Sequence, residues 1–209
     1  MFEDITKIDL KILSLYTKDY QSRFSIRQIT QRLNINYAHT FKRVKNLVKT
    51  GILIQTKEGQ VNYISLNIQN IEAVQVLCFV EEQESKKIKN TTLGLIIKEM
   101  IHIDPLACIG IFGSRVSGKA IKSSDWDVFI ITQGVKKEKM ESIMSKFPYI
   151  TNIELQVFSL EEFQESLLVP EETVVKLIIR NKQIIYNPHP FYNLITILEE
   201  IKYAPSQTS

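Results

Sequence analysis

Cysteine is nearly absent from this 209-residue chain: only Cys78 and Cys108 occur, each among apolar neighbours. Two thiols in that setting point to reduced core residues, not to a disulfide framework or a cysteine metal site. Long apolar runs are missing too. The stretches 107–112 and 128–131 fall far short of the roughly 20 residues a membrane helix needs, and read as buried strands. No membrane partner is expected. The first residues, Met1-Phe2-Glu3-Asp4, are acidic and lack a signal-peptide pattern, so a cytoplasmic location is expected. Ten Phe and eight Tyr, with many Ile, exclude a disordered chain.

The most informative absence is of acid. Between Asp19 and Glu58 there is no acidic residue, while eight Lys/Arg occur. Residues 1–66 carry eleven Lys/Arg against five Asp/Glu, whereas residues 67–209 carry fifteen against eighteen. A net charge of +3 therefore hides a basic N-terminal third and a mildly acidic remainder, which implies different partners for the two.

Residues 5–20 place Ile5, Ile8, Ile12, Leu15 and Tyr16 on one helical face. Ser25 with Gln28 forms a capping-box pattern before Ile26, Ile29 and Leu33, a short second helix. Asn34-Ile35-Asn36 reads as a turn with Asn36 as N-cap, and a third helix then runs to about Thr50 on the stripe Tyr37, Phe41, Val44 and Val48. Gly51 is a natural stop. Residues 52–56 and 61–66 read as strands around the turn Lys57-Glu58-Gly59-Gln60. Three helices and a hairpin predict a winged helix-turn-helix over residues 1–67. The face opposite the third helix's stripe holds His39, Lys42, Arg43, Lys45, Asn46 and Lys49. Solvated faces usually mix signs, so a one-signed face here points to DNA. Protein contact or dimerisation is the alternative use.

Residues 68–103 contain a single Gly and no Pro. They read as a helical connector, with one helix on Ile71, Val74, Val76, Leu77, Phe79 and Val80 and a second on Leu93, Leu95, Ile96, Met100 and Ile101. The charged stretch 81–89 between them is expected to be exposed. The connector either holds two domains rigidly or builds a homodimer interface.

The chemistry-bearing residues follow. The strand 107–112 leads into Gly113-Ser114-Arg115, and ten residues separate Ser114 from Asp125-Trp126-Asp127, which opens another apolar strand. Side chains alternate along a strand, so Asp125 and Asp127 share a face. Two such close carboxylates repel unless a cation lies between them, and a hard ion such as Mg²⁺ or Mn²⁺ suits carboxylates plus phosphate oxygens. Gly113 lets backbone approach a phosphate and Ser114 offers a hydroxyl and an N–H. Arg115, Lys119 and Lys122 add positive charge. Trp126 faces the other way, toward core or rim.

Gly-Ser, a ten-residue spacer, and Ser124-Asp125-Trp126-Asp127 ahead of an apolar strand resemble the minimal nucleotidyltransferases of the DNA polymerase beta-like superfamily. The resemblance covers residues 104–187. It implies an α+β chain whose residues 104–209 form a nucleotidyltransferase-type mixed sheet flanked by helices, closed by 171–187 and a final helix over 191–203. It further implies that Asp125 and Asp127 hold metal, that Glu154 on the strand after a helix over 136–147 is the third catalytic carboxylate, and that Gly113, Ser114, Arg115, Lys119 and Ser124 bind nucleotide. Glu154 departs from the Asp found in many relatives in length, not in charge. The implied reaction uses an NTP as substrate and moves a nucleoside monophosphate, AMP favoured, to a hydroxyl. The acceptor is open among a protein hydroxyl, a nucleic-acid end and a small molecule. Stand-alone relatives act as antitoxins on a partner toxin, and this chain differs by its winged-helix fusion. The other expected function is a DNA-binding regulator, or antitoxin-like protein, whose second domain senses nucleotide without catalysis.

Overall fold

The computed structural model describes residues 5–88, 90–121 and 123–203, with no side-chain account of 200–203. Lys122 lies outside the described residues. Helix α1 (Lys7–Leu13) starts at a capping box between Thr6 and Asp9 and tightens into one 3-10 turn, Ser14–Tyr16. It is shorter than the helix expected over 5–20. Strand β1 (Phe24–Ser25) precedes α2 (Ile26–Leu33), which carries the Ser25–Gln28 capping box the sequence announced. Asn34 closes α2 in the left-handed conformation, and Asn36 caps α3 (Tyr37–Lys49) by accepting from the Ala38 N–H. Strands β2 (Leu53–Glu58) and β3 (Val61–Leu66) then form a hairpin, and β1 pairs on the other side of β3. The hairpin is tighter than expected. Glu58 pairs with Val61, which leaves Gly59-Gln60 as the turn, with Gly59 at φ +59°.

The buried face of α3 differs from the expected stripe. Thr40, Val44 and Leu47 are buried, while Tyr37 and Phe41 are 53% and 42% exposed. The inward face of a helix is chosen by the helices it meets, here α1 and α2. The apolar spacing 37-41-44-48 therefore named a face that the packing turns partly outward.

Helix α4 (Ile71–Ser85) buries Val74, Val76, Leu77, Cys78 and Val80. Glu81, expected to be exposed, is fully buried beside the equally buried Lys182, with Nζ 2.9 Å from Oε1. Tyr192 donates its hydroxyl to the same carboxylate oxygen at 2.6 Å, and Lys182 Nζ also donates to the Thr17 carbonyl. A buried charge needs partners of this kind.

Helix α5 (Thr91–Ile103) leads to β4 (Cys108–Phe112), α6 (Ser114–Ser117) and β5 (Trp126–Thr132). Then come α7 (Lys137–Glu141) with a 3-10 segment Ser142–Lys146, β6 (Ile153–Ser159), α8 (Leu160–Leu168), α9 (Val174–Arg180), β7 (Lys182–Tyr186) and α10 (His189–Tyr203). The second sheet has the order β6-β5-β4-β7, with β5 parallel to β6 and the other pairs antiparallel. The fold is thus α+β with a mixed sheet between helices.

Alternation sorts the sheet's two faces. Val128 and Ile130 pack with Ile109, Ile111 and Val157 against Leu93, Ile96 and Met100 of α5. Phe129 and Ile131 pack with Cys108 and Ile184 toward α8, α9 and α10, in a core that continues into α4 and the N-terminal helices. The two connector helices therefore part company: α5 covers one sheet face, and α4 joins the core on the other. Burial pushes the Cys78 thiol up to about 12 and raises Cys108 as well, as expected of protonated core thiols. Among the described residues no helix is long and apolar enough to cross a membrane.

Candidate active site

Strand β4 runs out at Phe112 opposite Asp127 of β5, and Asp127 pairs in turn with Glu154 of β6. Directly paired residues project to the same face, so the two carboxylates lie side by side on the face that also carries Phe129 and Phe158. Asp125 stands two residues earlier, just before β5. The three negative groups feel one another. Partial burial first, then the charges of Glu154 and Asp125, hold the Asp127 carboxyl above its ordinary value, while the Ser114 N–H and Arg115 oppose the rise.

Gly113 turns the chain from β4 into α6 at φ +74° and ψ −146°, a region open essentially to glycine. A Cβ there would lie 2.1 Å from Asp127 Oδ2. The glycine lets the turn pass directly beneath the carboxylate, and the Ser114 N–H then donates to Asp127. The Ser114 carbonyl accepts from the N–H groups of Lys119 and Ala120 at 3.0 and 3.1 Å, which folds residues 114–120 into a compact loop. The Lys119 side chain is exposed there.

Arg115 does something the sequence did not announce. Its Nε donates to the Asp125 carbonyl at 3.0 Å, an Nη donates to the Ser124 carbonyl, and the guanidinium lies 4.3 Å from the centre of the Trp126 ring. Expected on phosphate, this cation is engaged with the backbone that presents Asp125. Ser124 likewise works locally, its hydroxyl accepting from the Ile121 N–H at 2.9 Å. Glu154 is exposed, and Gln156 Nε2 donates to its Oε1 at 3.2 Å. Among the described residues no three His, Cys, Asp or Glu side chains are already gathered as a metal site.

Other residues at the site escaped the sequence reading. Asn181 Nδ2 donates to the Gly113 carbonyl at 2.9 Å, and Lys18 Nζ donates to the Val116 carbonyl at 2.9 Å. The Lys182 N–H donates to the Lys18 carbonyl at 3.1 Å. The chain just after the 3-10 turn is therefore bonded to α6, which follows the Gly-Ser turn, and to β7, which pairs with β4 ahead of it. An asparagine between a helix and a strand is a capping signal, so position 181 was legible in part. Nothing local marks Lys18.

On α3, His39, Lys42, Lys45 and Lys49 are exposed and Asn46 is half-buried. Arg43 is not on that open face. Its Nε donates to Asp9 Oδ1 at 2.9 Å, and Asp9 is fully buried at the start of α1. The pair rivets α1 to α3.

Residues 96–190 match the family model described as Polymerase beta, Nucleotidyltransferase. The matched segment runs from within α5 to the start of α10 and includes Asp125, Asp127 and Glu154. It supports a nucleotidyltransferase-type domain there, with nucleotidyl transfer as the family-level chemistry. No curated protein and no solved structure matches the chain.

Proposed function

We propose that this chain is a Mg²⁺-dependent nucleotidyltransferase that moves a nucleoside monophosphate, AMP favoured, from an NTP to a hydroxyl, and that residues 1–67 act as a winged helix-turn-helix that binds DNA. One observation carries the catalytic part: Asp127 is paired with Glu154 across parallel strands, directly above a glycine turn that only a residue without a side chain can make.

The donor set suits a hard divalent ion. Asp125, Asp127 and Glu154 bring carboxylate oxygens; burial first, and then the charges of Glu154 and Asp125, raise the Asp127 carboxyl, and a cation would relieve both. When bound, such an ion supplies charge neutralisation and polarisation of phosphate oxygens. The chain's own groups do the rest. The Gly113 turn would give a triphosphate close access to backbone, Ser114 and the exposed Lys119 on the loop after it would supply a hydroxyl and a positive charge, and Arg115 fixes the loop that carries Asp125. In the reaction, the acceptor oxygen bonds to the α-phosphorus as the bond to pyrophosphate breaks, and the hydroxyl proton goes to water.

The test is transfer of label from α-³²P ATP in the presence of Mg²⁺, with protein, nucleic-acid and small-molecule acceptors. We expect labelled acceptor with the native chain and none with Asp127→Ala. A second reading has its own observation, the acid-free exposed face of α3. In that reading the chain is a DNA-binding regulator, or antitoxin-like protein, whose nucleotidyltransferase-type domain senses nucleotide without catalysis. Salt-sensitive duplex binding that responds to ATP, without label transfer to any acceptor, would favour it.

A further inference from the structure

We propose that Tyr37 and Phe41 read thymine methyl groups in the major groove of DNA. The inference rests on the DNA-binding reading of residues 1–67 and names what that surface recognises. Two large rings stand in solvent on the N-terminal half of α3, 53% and 42% exposed, while Thr40, Val44 and Leu47 face the core. The rings stack on each other, with centroids 6.1 Å apart and planes 28° apart, so they form one firm apolar edge instead of two loose side chains. Exposed Ala38 beside them leaves room for close approach.

The surroundings choose the partner. His39, Lys42, Lys45 and Lys49 are exposed on the same helix, Lys45 Nζ is 5.8 Å from the Phe41 ring centre, and no acidic residue occurs from position 20 to position 57. An apolar edge rimmed by one sign of charge complements a polyanion better than the mixed rim of an ordinary protein surface. The N-terminal half of a recognition helix is the part that meets base edges. On those edges the thymine C5 methyl is the apolar feature an aromatic ring can pack against. The lysines farther along the helix serve phosphates, which position without reading sequence. Arg43, the one arginine on α3, is turned to Asp9, which takes the helix's one guanidinium fork off this face.

The experiment uses the full chain. Duplexes retained from a random pool are sequenced. The best binder is then compared with its copy carrying deoxyuridine in place of thymine, by fluorescence anisotropy across a salt series. We expect retained sequences rich in thymine, and affinity about fourfold weaker for each contacted methyl removed, the worth of one buried methyl-sized group. The salt slope should stay unchanged. The Tyr37→Ala/Phe41→Ala variant should bind both duplexes equally with the native slope, and should still melt in one cooperative transition. Equal, salt-sensitive binding of both duplexes by the native chain overturns methyl reading and leaves DNA binding standing. Absence of any salt-sensitive duplex binding overturns both. A dimer, seen by sedimentation, that the double variant loses while keeping its thymine preference makes the pair a protein contact and overturns the inference.

Discussion

Gly113 lies beneath the Asp127 carboxylate with no room for a side chain: a Cβ would stand 2.1 Å from Oδ2, on a backbone at φ +74°. Gly113→Ala should therefore cost about 1–3 kcal/mol of stability through backbone strain. It should also cost nucleotide binding, because the methyl group displaces the carboxylate. Thermal melts with and without Mg²⁺ and ATP check both. A variant that melts lower but keeps the full ligand-induced rise would separate the turn from the site.

The raised Asp127 carboxyl makes a signed prediction. A proton binds this group more tightly in the folded chain than in the unfolded one. The stabilisation is fully present below the unfolded value and is lost as pH rises through the folded value. Without divalent ions, stability should thus decline as pH rises from the ordinary Asp value through the raised one. Mg²⁺ should offset the decline where Asp127 is ionised. Asp127→Asn should flatten this part of the profile, melt no lower than the native chain at neutral pH, and lose the Mg²⁺ response. Melting curves over a pH series, with and without Mg²⁺, measure it.

Arg115 holds the Ser124 and Asp125 carbonyls and covers Trp126. A lysine has neither the fork nor the plane to do this. Arg115→Lys is expected to weaken ATP binding on the order of tenfold, nearly as much as Arg115→Ala, since a charged hydrogen bond contributes about 1.5–3 kcal/mol. Titration calorimetry with Mg²⁺-ATP reads this directly. Full rescue by lysine would show that charge at this position, not its geometry, is what counts.

Lys182 and Glu81 form a fully buried pair, closed by Tyr192 and the Thr17 carbonyl. Removing one partner leaves an uncompensated charge. Lys182→Met should cost about 3–5 kcal/mol, and adding Glu81→Gln should recover part of it. Urea unfolding of the single and double variants decides. No recovery would mean that the lysine stem, not its charge, matters to packing.

Much of this architecture was legible before any coordinates. The capping box at Ser25, the cap at Asn36 and the strands flanking 113–127 are local signals, and they formed where they were read. Alternation groups Asp125 with Asp127, while Glu154 comes from the family resemblance, and it pairs with Asp127 across β5 and β6. Other features are decided at a distance. Glu81 looked like solvent-facing charge because its partner lies 101 positions away in β7. Arg43 looked free because Asp9 is brought to it only by helix packing. Arg115 stands beside Ser114 as its place in the sequence requires, and the chain also folds back to offer it two carbonyls, which no local signal shows. Helix α8 has a usable signal that goes unread: Ser159 and Glu162 form a capping box in a stretch given no reading.

The central claim is that Asp125, Asp127 and Glu154 grip a divalent cation against a triphosphate held at the Gly113-Ser114 turn. Crystals soaked with Mn²⁺ and a non-hydrolysable ATP analogue test it through anomalous scattering. The account predicts a strong manganese peak among these carboxylates, with the analogue's phosphates on the Gly113-Ser114 side of it. Ordered analogue elsewhere on the molecule, with no manganese at these side chains, would contradict it.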